Sequence, residues 1–483
     1  MLKTKADVHT PTSNKKRQRT TSFDFTTNTV GVTTTAQQDE KVNQYNGWTV
    51  PHSNYQIPIL STDDNELTPE GFYRDYIQHR RPVVIRGKLP AELINLNLWK
   101  SSNKHMTERA GDESIMVEKR SNNRDSFGRG NEIAMSFRNF MKVIEEGDNM
   151  HYLTTQDVAA NKDGRPDLMS SFMKKLRGQG ENLDFPLRLN LAGNLVPQNI
   201  NLWIGNSKDG TSSGLHHDYH DNFYIVLRGT KRFRLFSPAD TEKMYTRGKL
   251  VKVHKNGRIN YEGEITTAYG ADLNSCAAAL AEKKREEAEE LLAKAEKAVE
   301  DGVPGAEEEL ERAEDLLDKA MAAILDAETS SVVDDEEEEF HLETATEDDV
   351  EGIEMDEMSS SSEEVDAGEN TDDTCGRLVD KTVKNPNNFS KVDPSLLDDE
   401  EKLKENFPEI LEASNAFCTC HPGDILYLPA SWFHEVRSSS GSDANSNGHM
   451  AFNYWFHPPD AENDFKNPYS TDFWSNDFEN RSK

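Results

Sequence analysis

The sequence predicts a mainly β domain, a sandwich or barrel, with helices ahead of it and an insert dividing it. Three observations carry this. Over residues 187–236, short apolar, β-branched and aromatic runs follow one another, with turn signals at Gly193, Gly210, Gly214 and Gly229-Thr230-Lys231. The pattern then stops and returns over 416–420, 424–428, 433–437 and 450–456. Between the blocks lie a stretch rich in Ala, Glu, Lys and Leu at helical spacing and a run of Asp, Glu and Ser. Closure entropy grows only slowly with loop length, so one β domain tolerates such an insertion.

Taken in order, residues 1–48 are rich in Thr, Ser, Asn and Gln with scattered charge, and read as a disordered basic and polar tail. Within it, Lys15-Lys16-Arg17-Gln18-Arg19 is either a nuclear-import patch or a solvated basic stretch. The first part of the β domain, with its leading helices, is assigned to 49–275. Thr68 as N-cap, Pro69 at the first helical position and the spacing of Phe72, Tyr76 and Ile77 predict a helix. Arg81-Pro82-Val83-Val84-Ile85-Arg86-Gly87 is a short buried strand closed by glycine; 136–144 is an amphipathic helix, and 151–155 a strand.

The insert is assigned to 276–375. Helices over 277–299 and 306–325, parted by Asp301-Gly302-Val303-Pro304-Gly305, predict an antiparallel hairpin. Leu291, Leu292, Leu310, Leu316, Leu317, Ile324 and Leu325 form apolar stripes that would pair with one another. Behind them, 334–373 is an acidic, Ser-rich tract too polar to fold. The second part of the β domain covers 376–460, and 461–483 is read as a C-terminal tail.

The net charge of −32 belongs to this insert: 330–376 holds no Lys or Arg, and what remains outside the insert is near neutral. The tract repels itself and would stay extended, available to basic partner proteins. The neutral remainder gives little sign of the basic surface that nucleic acid requires. Cys276, Cys375, Cys418 and Cys420 make no C-x-x-C pair, which argues against a disulfide framework and structural zinc and fits a reducing compartment. No apolar run approaches the ~18–20 residues of a membrane span, and no signal-peptide core stands at the N-terminus. Nucleus and/or cytoplasm is the expected location.

The chemistry gathers at Gly214-Leu215-His216-His217-Asp218-Tyr219-His220-Asp221-Asn222-Phe223-Tyr224 and, far along the chain, at Trp432-Phe433-His434. The run through Asn222 reads as a strand, and period-2 geometry puts His216 and Asp218 on one face. His217 has the wrong parity and should point away. His220 has the right parity but lies about 13 Å along an extended strand from His216, as a substrate-side or supporting group. His434 follows a Gly turn, an apolar strand and a Pro break, and a buried histidine there needs a partner. Two imidazoles and a carboxylate form the facial triad that holds non-haem Fe(II) and leaves positions open for chemistry. The alternative for His216, His217 and Asp218 is a polar strand edge. Lys231 begins the next strand, and is either a surface lysine beside Arg232 or a buried cation for a dicarboxylic co-substrate. Ser213, Tyr152, Asn222 and Asn453 could add hydrogen bonds, though each taken singly is more often structural.

These residues resemble the JmjC-domain Fe(II)/2-oxoglutarate oxygenases, of the small hydroxylase subgroup and similar to the Jumonji-domain lysyl hydroxylases. The pattern H-x-D, then N-F and G-x-K, is met by His216, Asp218, Asn222, Phe223, Gly229 and Lys231. Gly423 through His434 meets G-D-x-L-Y-L-P-x-x-W-F-H, and Asn453 and Trp455 meet the closing x-N-x-W. Arg81 to Gly87 and Tyr152 to Gln156 match upstream segments. The likeness runs from about residue 55 to 459 outside the insert.

The resemblance implies a double-stranded β-helix, the jelly-roll of the cupins, with Fe(II) held by His216, Asp218 and His434. It implies 2-oxoglutarate contacts at Lys231, Ser213 and Tyr152, with Asn222 and Asn453 near the keto-acid end. Ser213 departs from the usual Thr but keeps the hydroxyl. The activity implied is oxidation of 2-oxoglutarate to succinate and CO₂ coupled to hydroxylation of a protein side chain, a lysyl one first. Demethylation of methyl-lysine or methyl-arginine is the alternative within the enzymes, without the Cys/His-rich zinc module of large chromatin demethylases. Hydroxylation of a tRNA base, and a non-catalytic scaffold binding basic partners through the insert, are the others. No nucleophile for a protease stands in the sequence.

Overall fold

The computed structural model describes residues 41–62, 67–87, 99, 103–120, 127, 131–160, 166–180, 183–333, 386–441 and 448–482. Most of the N-terminal tail, its Lys15–Arg19 patch and the acidic tract lie outside the described residues. Alternating apolar positions and glycine turns produce seventeen described strands. In chain order they are β1 Tyr55–Gln56, β2 Ile59–Ser61, β3 Val83–Arg86, β4 Ser114–Lys119, β5 Asn131–Ser136 and β6 His151–Leu153. Then come β7 Pro197–Gly205, β8 Thr211–Ser212, β9 His216–His217, β10 Asp221–Arg228, β11 Thr230–Phe236, β12 Leu250–Val253 and β13 Ile259–Tyr261. The last four are β14 Asn415–Cys420, β15 Ile425–Leu428, β16 Phe433–Ser439 and β17 His449–Phe456.

They form a nine-stranded sheet, β2-β3-β15-β10-β17-β7-β6-β4-β5, and a six-stranded sheet, β1-β14-β11-β16-β8 with β9 also on β16. A separate β12–β13 pair completes the set. Two sheets facing across a core, with no closed barrel, are the jelly-roll expected of the sequence. β10 and β11 lie in different sheets, joined at Gly229, whose φ of +68° is open to glycine at little cost. Along β10 the parity sorts two cores. Phe223, Ile225 and Leu227 pack outward, while Tyr224 and Val226 face the second sheet among Phe233, Leu235 and Leu426.

The outward face is covered by helices. Thr68 accepts from Gly71 N and starts Pro69–Phe72, which continues as a π turn, Tyr73–Ile77. Ser136 caps Phe137–Glu145, burying Phe137, Phe140, Met141 and Ile144. These helix starts lie where the capping residues predict them.

Four features differ from the sequence reading. Ordered pairing begins before residue 48, since Gln44 N donates to Val253 O. The run carrying His216 and Asp218 is not continuous with the strand through Asn222: β9 belongs to the six-stranded sheet and β10 to the nine-stranded one. The segment 461–483 is not a loose tail among its described residues. Tyr469 donates to His457 O and accepts from Val196 N, and Trp474 stacks on His457 at 3.4 Å.

The fourth is the insert. Its helices run Leu273–Glu300, capped by Asp272, and Ala306–Val333. They pair about an alanine seam: Ala281, Ala288 and Ala295 against Ala306, Ala313 and Ala320 are the buried positions. Both triplets repeat every seven residues, the period of a close-packed helix pair. Of the apolar stripe expected from the sequence, Leu291, Leu316 and Leu325 are 47%, 46% and 63% exposed, while Leu292, Leu310, Leu317 and Ile324 are half-buried, each four residues after a seam alanine. Alanine takes the seam because its small side chain lets the backbones approach.

Candidate metal centre

β9 pairs antiparallel with β16, and His216 stands directly opposite His434 in the register. Their rings lie 4.3 Å apart between centroids. After β9 the chain bends towards the other sheet, and Asp218 at the bend brings a carboxylate oxygen 3.7 Å from His434 Nε2. One ligand atom from each of His216, Asp218 and His434 lies within 4.8 Å of the others. The three residues that the sequence groups do come together, but by a different local geometry: the crossing between sheets, not one strand face, aims Asp218.

The hydrogen bonds set each imidazole. His216 Nδ1 meets Gly214 O at 3.1 Å and His434 Nδ1 meets Trp432 O at 2.9 Å. A carbonyl accepts, so Nδ1 carries the proton in both rings and Nε2 keeps its lone pair. This is how metal-bound histidines are oriented. Burial, with His434 beside it, lowers His216 to about 4, so its imidazole is neutral near neutral pH. Two Nε2 atoms and one carboxylate, aimed at a common point, fit Fe(II) with positions to spare.

Asp218 is steadied from the nine-stranded sheet. Trp203 Nε1 donates to Asn453 Oδ1 at 2.9 Å, Asn453 Nδ2 to Asn222 Oδ1 at 3.3 Å, and Asn222 Nδ2 reaches Asp218 Oδ2 at 3.5 Å. Asn222 lines the pocket; Asn453 stands behind it. The pocket beside the triad encloses about 600 Å³, solvent at its mouth included, and is also lined by Tyr152, Ser213 and Ser438.

Lys231 is wholly buried and not a surface residue. Its Nζ donates to Ser438 Oγ at 2.7 Å and to His449 Nδ1 at 3.2 Å, and stands 3.5 Å from Tyr152 Oη. Burial lowers it to about 7, and no carboxylate among the described residues pairs with it. A lysine buried among neutral partners beside a pocket would hold its charge more firmly with an anion next to it. Ser213 lines the pocket, but its hydroxyl accepts from Val436 N and donates to Gly214 O, so it is spent on the backbone.

His217 points away as its parity requires, fully buried with Nε2 2.9 Å from Tyr261 Oη. His220 stacks on Trp455 at 5.8 Å rather than lining the pocket. Three contributors escaped the sequence. Ser438 and His449 carry no motif of their own. Phe389, beyond the insert, stacks on the His216 ring at 4.8 Å with planes 11° apart. Its segment pairs with β9: His217 N donates to Asn388 O, and Ser390 N to Leu215 O. Only the return of this segment from the far side of the insert brings it there.

Comparison with known proteins agrees with this geometry. The family model described as a cupin-like domain matches residues 69–462. JmjC domain-containing protein 4 of Schizosaccharomyces pombe is 35% identical over 451 residues, spanning 89% of this chain and 90% of that one. Human bifunctional peptidase and (3S)-lysyl hydroxylase JMJD7 is 27% identical over 195 residues, 38% of this chain and 55% of its own. Lysine-specific demethylase JMJ32 of Arabidopsis thaliana is 25% identical over 203 residues, 38% of this chain and 52% of its own. With a family model over most of the chain and a full-length relative, this protein belongs to the JmjC-domain group of the cupin-like family.

Proposed function

We propose that the protein is an Fe(II)- and 2-oxoglutarate-dependent oxygenase that hydroxylates a protein side chain, with lysine the leading target. One observation carries this reading: His216, Asp218 and His434 line one pocket, and the buried Lys231, with no carboxylate partner among the described residues, stands behind Tyr152 and Ser438 of its wall. His216, Asp218 and His434 would hold the metal through two Nε2 atoms and a carboxylate oxygen. Lys231 would take the distal carboxylate of 2-oxoglutarate, with Tyr152 and Ser438 beside it. When bound, iron and 2-oxoglutarate supply the oxidising chemistry, while the protein binds and orients. The chain's own work is to keep the His216 imidazole neutral, to aim both Nε2 atoms at the metal, to hold Asp218 through Asn222, and to exclude water around Lys231.

The lysyl target draws support from the lysyl hydroxylase named among the relatives, which aligns over part of this chain. The demethylase named among them motivates the second outcome of the same test. Intact mass of candidate protein substrates after incubation decides between them: a gain of one oxygen means hydroxylation, a loss of one methylene means demethylation. His216→Ala and Asp218→Ala should bind no Fe(II) and release no succinate. Full turnover in either variant overturns the assignment.

A further inference from the structure

The wholly buried His449 has no place in the motifs, yet the fold makes deliberate room for it. A Cβ on Gly205 would stand 2.9 Å from His449 Cε1, and one on Gly229 would stand 2.8 Å from His449 Cβ. A Cβ on Gly448, just before it, would strike Gly205 O at 2.5 Å. Three backbone segments therefore close on this imidazole, and its Nδ1 lies 3.2 Å from Lys231 Nζ.

We infer that His449 is the positioning residue of the carboxylate-binding end: its Nδ1 accepts from the Lys231 ammonium and fixes the direction in which that ammonium meets the co-substrate. This rests on the co-substrate reading of the pocket given above. An ammonium has three N–H donors. Ser438 Oγ at 2.7 Å and His449 Nδ1 at 3.2 Å hold two, and Tyr152 Oη at 3.5 Å is the weak third. The two firm acceptors pin Nζ from β16 and β17, and the third donor is left for a carboxylate entering past Tyr152. Burial, and then the Lys231 charge, hold His449 well below the usual imidazole range, so it stays neutral and keeps the accepting lone pair. Its Nε2 finds no partner in the described structure, so the ring's one satisfied polar contact is the one to Lys231.

The test compares 2-oxoglutarate with 2-oxobutyrate, which lacks the distal carboxylate, by calorimetry on the full chain loaded with Mn(II). His449→Phe keeps a ring but no acceptor, and should weaken 2-oxoglutarate binding by about tenfold or more, the worth of a hydrogen bond to a charged group. Binding of 2-oxobutyrate should not move. His449→Asn, whose Oδ1 can accept where Nδ1 did, should recover most of the loss. In turnover, the deficit should appear in KM for 2-oxoglutarate and not in kcat. Equal losses for both acids, or no rescue by asparagine, would overturn the inference. Should His449→Phe not fold, nitrogen-labelled histidine spectra of the natural chain decide: the His449 Nδ1 resonance should move with 2-oxoglutarate and stay with 2-oxobutyrate. A resonance indifferent to both overturns it. A natural chain that does not prefer 2-oxoglutarate at all overturns instead the co-substrate reading, and this inference with it.

Discussion

The main-chain N–H of Ser431 donates to the main-chain carbonyl of Asp218 at 2.7 Å. This bond ties the bend that carries the carboxylate to the turn that leads into His434. Ser431 makes it from the left-handed region, with φ at +60°, and its hydroxyl accepts from Ile259 N at 3.2 Å. A non-glycine residue there is strained, and such strain persists where surrounding contacts over-determine it.

Removing the hydroxyl in two ways separates the strain from the contact. Ser431→Ala and Ser431→Gly both lose the bond to Ile259, but glycine adopts the left-handed conformation freely. The glycine variant should therefore be the more stable by about 1 kcal/mol in chemical denaturation. Ser431→Pro, with no N–H to give Asp218, should lose metal binding altogether.

The pH dependence of co-substrate binding follows from Lys231. Burial lowers the free protein's ammonium to about 7, and a carboxylate beside it favours the charged form. Below that value the lysine is already charged and affinity is flat. Above it, binding must take up a proton, and affinity should fall by about tenfold per pH unit. The facing groups titrate outside this window, Tyr152 being pushed well up and His449 well down, each by burial. Lys231→Ala should abolish the slope, raise the 2-oxoglutarate requirement by about a hundredfold, and leave metal binding intact. Calorimetry across the pH range checks all three.

A buried ion pair braces the domain. Arg80 Nη1 donates to Asp221 Oδ2 at 2.8 Å, and Asp221 also accepts from Tyr427 Oη at 2.8 Å and Ala430 N at 2.9 Å. Both charges are wholly or almost wholly buried, so removing one leaves the other stranded. Asp221→Ala should cost about 3–5 kcal/mol in denaturant unfolding, and Arg80→Ala a similar amount.

The insert and its exit segment should separate cleanly in function. Replacing 277–375 with a Gly/Ser linker should leave the metal and 2-oxoglutarate constants nearly unchanged, because the alanine seam satisfies the hairpin internally. Phe389→Ala should instead weaken metal binding, since that ring lies flat on His216. Titration with Co(II), followed by its visible absorption, distinguishes the two variants. A deletion that abolishes binding would show that the hairpin supports the site.

Within the hairpin, Ala288→Leu should lower the melting temperature of the helical signal, because a larger side chain forces the two backbones apart. Leu291→Gln, at a position 47% exposed, should leave it nearly unchanged.

Where chemistry demanded a residue type at a spacing, the sequence showed it: His216, Asp218 and His434 converge, and the buried Lys231 reaches Tyr152 and Ser438 of the same pocket. Helix starts at Thr68 and Ser136 were legible because a cap is a local hydrogen bond. The two-sheet architecture followed from strand periodicity and glycine turns. What escaped was set by distant packing. The choice of alanine over leucine in the hairpin depends on how near two helices come, which periodicity alone does not encode. The sheet change between His217 and Asp221 is a matter of pairing partners, not of propensity. Ser438, His449 and Phe389 are ordinary letters until strands remote in sequence lie side by side.

The two ligand-bearing segments stand on opposite sides of the insert, and so do the strands that hold them. β10, from before it, is sandwiched between β15 and β17 from after it, while β11 lies between β14 and β16 in the same fashion. Neither half of the chain owns the whole of either large sheet. A ribosome releasing this protein must deliver the last strands before the first can settle, which makes the fold slow and dependent on late synthesis. The same interleaving means that a single backbone cut between residues 334 and 385 should yield two fragments that stay joined as one oxygenase, while neither fragment expressed alone should hold a metal.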